Sequence, residues 1–64
     1  MKPGEAKAAL EAAGYHCEFM HAILYVRRSA TAMGVPDRLY VRASDGEVSD
    51  IKVKVLLRRR EGEQ

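Results

Sequence analysis

The chain has 64 residues, 47% of them hydrophobic, with a formal net charge of +2 and a single cysteine, Cys17. A chain this short folds as one domain and buries only about 60% of the surface that its unfolded form exposes. One cysteine excludes an internal disulfide, and so small a net charge excludes a polyelectrolyte, so affinity for nucleic acid would have to come from the distribution of charge.

No run approaches the roughly 18 apolar residues of a membrane span, and the chain does not open with the basic-then-apolar pattern of a secretory signal. The reading is a cytoplasmic protein with no membrane partner. Much of the apolar content is alanine, which contributes little buried area per residue. A second copy completing the core, a homodimer, is therefore expected.

Pro3 and Gly4 lead into Glu5-Ala6-Lys7-Ala8-Ala9-Leu10-Glu11-Ala12-Ala13, a run of strong helix formers closed by Gly14. The spacing predicts a helix whose apolar face carries Ala6, Ala9, Leu10 and Ala13. The next stretch, Tyr15 to Val26, has neither clean alternation nor clean helical spacing. As a helix continued to Met33 it would stop at Gly34, giving two helices followed by a β-hairpin. As a strand it gains from Ile23-Leu24-Tyr25-Val26, rich in β-formers, and from the likeness of Leu24-Tyr25-Val26-Arg27-Arg28-Ser29 to Leu39-Tyr40-Val41-Arg42-Ala43-Ser44, fifteen residues later. The strand is the preferred reading, with a further short strand open at Tyr15 to Phe19.

Gly34-Val35-Pro36-Asp37 opens the next strand through Leu39-Tyr40-Val41-Arg42. The run Ser44-Asp45-Gly46-Glu47 reads as a turn, and Asp50 to Arg58 alternates as a returning strand. Residues 59–64 read as a frayed polar tail. The expected fold is α+β, one N-terminal helix packed on a three-stranded antiparallel meander.

Alternation then assigns faces. Leu24, Val26, Leu39, Val41, Ile51, Val53, Val55 and Leu57 point to the core. The opposite face gathers Tyr25, Arg27, Tyr40, Arg42, Lys52, Lys54 and Arg58. Cations interleaved with tyrosines on an open sheet suit nucleic acid, because cations neutralise phosphates and rings stack on unpaired bases. Nucleic-acid binding by these residues is the leading expectation. The same surface also reads as an ordinary solvent face, or as a protein interaction module that dimerises.

Pro36-Asp37 followed by Asp50-Ile51-Lys52 fits a further pattern, in which two carboxylates hold a divalent cation and a lysine stabilises charge growing on a phosphodiester. The segment Gly34-Val35-Pro36-Asp37-Arg38-Leu39-Tyr40-Val41, a turn, and Asp50-Ile51-Lys52 resembles the PD-(D/E)XK nucleases, most of all the small VRR-NUC type, over residues 34–54. The resemblance implies a minimal or degenerate nuclease using Asp37, Asp50 and Lys52, with Asp37 and Asp50 holding a cation such as Mg²⁺. Spacing alone assigns no catalytic residue, and no cofactor is expected outside that alternative. His16, Cys17 and His21 lack a fourth ligand at a standard spacing, so no structural zinc is expected.

Overall fold

The computed structural model describes residues 1–62. The elements in order are a helix, Pro3–Ala12 (α1), three strands, His16–Met20 (β1), Ile23–Arg27 (β2) and Asp37–Tyr40 (β3), and a second helix, Asp50–Glu61 (α2). The α+β class, the N-terminal helix and the three-stranded antiparallel sheet match expectation; the strand membership and the final helix do not.

α1 begins where proline is best tolerated, in the first turn, and Glu5 there complements the positive end of the helix dipole. Its end is a Schellman motif: the Gly14 N–H donates to the Glu11 carbonyl at 2.9 Å and the Tyr15 N–H to the Leu10 carbonyl at 3.0 Å. That geometry needs a left-handed residue, and Gly14 has φ +101°. Ala6 and Leu10 are the buried members of the predicted apolar face.

Residues 15–33 are not a helix. β1 and β2 form a hairpin whose register pairs Cys17 with Val26 and Phe19 with Leu24. Its two connecting residues, His21 and Ala22, have φ of 50° and 61°, the positive pair of a type I′ turn. β3 pairs antiparallel with β2, setting Leu24 against Leu39 and Tyr25 against Arg38, so the sheet order is β1-β2-β3. The connection from β2 to β3 is held by the Arg27 guanidinium, which donates to the Gly34 carbonyl at 3.1 Å and the Ala32 carbonyl at 3.5 Å.

The Asp45-Gly46 turn forms as expected, with the Gly46 N–H donating to the Arg42 carbonyl at 2.8 Å and the Arg42 N–H to the Glu47 carbonyl at 2.9 Å. The hairpin ends after that one bridge, and the strand expected from Asp50 to Arg58 is the helix α2. Ser49 caps it, its hydroxyl accepting from the Lys52 N–H at 3.4 Å, with Asp50 in the first turn and Arg58, Arg59 and Arg60 in the last. Two periods run through Ile51 to Arg60. The strand period would bury Ile51 and Val55, which are 74% and 49% exposed; the helical period buries Val53 and Leu56 and half-buries Leu57 and Arg60. α2 also takes in Arg59, Arg60 and Glu61 from the expected tail, of which residues 63 and 64 lie outside the described residues.

Both helices cover the same sheet face. One core joins Ala6 and Leu10 of α1, Cys17, Leu24, Val26 and Leu39 of the sheet, Val53 and Leu56 of α2, and Tyr15 and Val48 from the connections. No helix among the described residues is long and apolar enough to cross a membrane.

The His21-Ala22 turn yields a direct test. A left-handed conformation costs an L-residue roughly 1–2 kcal/mol. Replacing His21→Asn and Ala22→Gly together supplies the preferred type I′ pair and should stabilise the domain by about 1 kcal/mol, read as a rise of roughly 4–8 °C in thermal midpoint for a chain this size. An unchanged or lower midpoint would contradict the assigned turn.

Candidate nucleic-acid interface

Because directly paired residues of an antiparallel sheet share a face, the register defines the uncovered side. It carries His16 and Arg27 in one row, Glu18, Tyr25 and Arg38 in the next, and Met20, Ile23 and Tyr40 in the third. Tyr25 and Tyr40 are thus diagonal neighbours on adjacent strands, a relation in which residues lie about 7–8 Å apart across the sheet. A shallow depression of about 330 Å³ lies among His16, Glu18, Met20, Tyr25, Arg27 and Arg38.

The seven residues expected on one surface divide. Tyr25, Arg27 and Tyr40 lie on the uncovered face. Lys52, Lys54 and Arg58 do not, because their segment is α2 and α2 packs on the opposite, covered face. Lys52 still approaches the uncovered side at the β3 edge, its Nζ 6.0 Å from the centroid of the Tyr40 ring. Arg42 sits in the turn after β3 and pairs with Asp45 at 2.8 Å.

Arg38, absent from the expected set, takes a central place across from Tyr25. Its signal was in the sequence, two residues before Tyr40 on the same alternating face. His16, Glu18 and Met20 are newcomers that depend on β1. Glu18 is the one carboxylate in these rows, and its Oε1 lies 3.3 Å from His16 Nε2.

The carboxylates of the nuclease-like pattern have separate surroundings. Asp37 opens β3 and lies 3.7 Å from Arg59 Nη1. Asp50 lies 2.7 Å from the Met1 ammonium, whose hydrogen bond holds the carboxyl below its ordinary range. Residues two apart share a face on a strand but point roughly 200° apart on a helix, so α2 turns Lys52 away from Asp50. Among the described residues no group of three or more His, Cys, Asp or Glu side chains is placed to hold a metal ion.

Cys17 faces the core beside Val26. Burial, with a smaller contribution from Glu11, pushes its thiol up to about 11. Comparison with known proteins finds no match among family models, curated proteins or solved structures.

A thiol whose folded pKa is raised stabilises the fold fully below its unfolded value near 9.0, and that contribution is lost as pH climbs through about 11. Denaturant unfolding of the parent protein and of Cys17→Ala should therefore differ most in slope between about pH 9 and 11, the parent losing stability faster. Native Cys17 should also react with a thiol reagent at pH 8 far more slowly than in urea; equal rates would contradict its burial.

Proposed function

We propose that the protein binds single-stranded nucleic acid across the uncovered face of its sheet. The observation that carries this reading is the diagonal placement of Tyr25 and Tyr40 on adjacent strands with Arg38 beside them. Two rings on neighbouring strands offer stacking surfaces to successive unpaired bases, and Arg27, Arg38 and the edge residue Lys52 supply cations for the phosphates.

Arg27 is suited to this role by its hydrogen bonds to the loop. Two carbonyls fix the guanidinium, so little side-chain freedom is lost when its remaining donors meet a phosphate. Glu18 opposes the function electrostatically, so removing its charge is expected to tighten binding. Lys54 and Arg58 contribute only to the distant field, since α2 carries them on the other side of the sheet.

Fluorescence anisotropy with a labelled oligothymidylate provides the test. Tyr40→Ala should weaken binding about 5- to 150-fold, the range of one lost base stack, and Tyr40→Phe should leave it nearly intact. Arg38→Ala should lower the slope of log K against log salt by about 0.7, and Glu18→Gln should tighten binding. Lys54→Ala and Arg58→Ala should matter little. Salt-insensitive binding, or larger losses from Lys54→Ala than from Arg38→Ala, would overturn the assignment, as would a sheet-to-sheet dimer that buries both tyrosines.

A further inference from the structure

A second surface lies at the edge of β3 on the α2 side, open at Arg38 and Tyr40 and closed beyond them where Arg42 pairs with Glu47. The Val41 N–H donates to the Ala22 carbonyl at 3.0 Å, which makes that pair a hydrogen-bonded one. By antiparallel alternation Leu39 and Asp37 also turn their backbone groups towards β2, and Arg38 and Tyr40 direct theirs to the open edge. Beside that edge runs a groove of about 240 Å³ between β3 and α2. Its apolar lining includes Leu39, Leu56, Ile51 and Val55, the last two being the apolar α2 residues that the core leaves exposed. Arg38, Lys52 and Arg59 surround it with positive charge, against the single carboxylate of Asp37.

We propose that this groove receives an extended peptide segment with alternating apolar and acidic side chains, which adds to β3 as a fourth strand. Each part of the site selects one property of that ligand. The backbone groups of Arg38 and Tyr40 select an extended main chain. Ile51 and Val55 select apolar side chains at every second position, those pointing towards α2. The alternate positions emerge beside Arg38 and take carboxylates.

Two other occupants fit less well. A second copy pairing through β3 in antiparallel fashion would bring Arg38, Lys52 and Arg59 of one chain close to the same cations of the other. A nucleic-acid strand would satisfy the cations but would leave the open strand edge unpaired and Ile51 and Val55 in contact with water. The peptide is the occupant for which backbone, apolar lining and charge agree; the site shares Arg38, Tyr40 and Lys52 with the uncovered sheet face but uses the main chain of the first two.

The experiment is amide hydrogen exchange by NMR on the ¹⁵N-labelled protein, with a capped Val-Glu-Val-Glu-Val-Glu-Val peptide and its counterpart carrying lysine for every glutamate. The acidic peptide should slow exchange of the Arg38 and Tyr40 amides by at least about tenfold, and the lysine peptide should not. Ile51→Asn, at an exposed position in the first turn of α2, should abolish that protection without changing the circular dichroism spectrum or oligothymidylate binding; Lys52→Glu should also abolish it. Equal protection by both peptides, or none by the acidic one, overturns the proposal. So does protection that grows with protein concentration alone, which identifies a second copy, or protection of the same two amides by oligothymidylate that Ile51→Asn abolishes, which identifies a nucleic-acid strand in the groove.

Discussion

The fold depends on covering one face of a short sheet whose first helix is too slight to cover it alone. α1 contributes Ala6 and Leu10 to the core, and alanine fills little of the volume above Cys17, Leu24, Val26 and Leu39. α2 supplies the missing bulk through Val53 and Leu56. A β-strand in that position would have lengthened the sheet and enlarged the face needing cover. The helix removes the shortage instead, and this explains why β-branched Ile51, Val53 and Val55 adopt a conformation they do not favour.

The helices meet at a junction built on the end of α1. Gly14 lets the chain reverse, so that Tyr15 enters the core and its hydroxyl donates to the Leu56 carbonyl at 2.7 Å. Arg60 returns from α2 to lie over the Tyr15 ring, 5.2 Å from its centroid, and donates to the Ala13 carbonyl at 3.2 Å. A Cβ on Gly14 would come within 3.0 Å of that guanidinium. The end of one helix is thus satisfied by a side chain of the other, and the angle between them is fixed by polar contacts at the margin of an apolar core.

Where one local signal dominated, the structure was legible in the sequence. The alanine-rich helix, its glycine stop, the β3 strand, the Asp45-Gly46 turn and the outward placement of Tyr40 all follow from propensity and parity, whereas β2, and with it the placement of Tyr25 and Arg27, competed with a helical spacing. The β1–β2 turn was hidden because His21-Ala22 is not a usual type I′ pair, and its conformation is imposed by pairing on both sides. Asp50 to Arg58 misled for a different reason. Ile51, Val53, Val55 and Leu57 alternate, yet Val53, Leu56, Leu57 and Arg60 also have helical spacing, and a Ser49 cap with acidic and basic ends decides between them. Most of the lost site residues follow from that single change, since Lys52, Lys54 and Arg58 were placed by the parity of a strand that is a helix. The volume that the alanine-rich helix leaves unfilled, which suggested a second copy, receives Val53 and Leu56 from α2.

β3 connects the two candidate surfaces through its alternation. Arg38 and Tyr40 turn their side chains to the uncovered face and their backbone groups to the open edge, so the same two residues contribute to both. Lys52, beside the Tyr40 ring and also lining the edge groove, is the third shared group. A strand added at the edge would hold β3 extended and fix the direction of both side chains, lowering the ordering cost of a base stacked on Tyr40. Its carboxylates, emerging beside Arg38, would at the same time compete with phosphates for that guanidinium. The sign of the coupling between the surfaces is therefore set by charge on the added segment: neutral side chains next to Arg38 favour joint occupancy, and acidic ones make the two ligands antagonists.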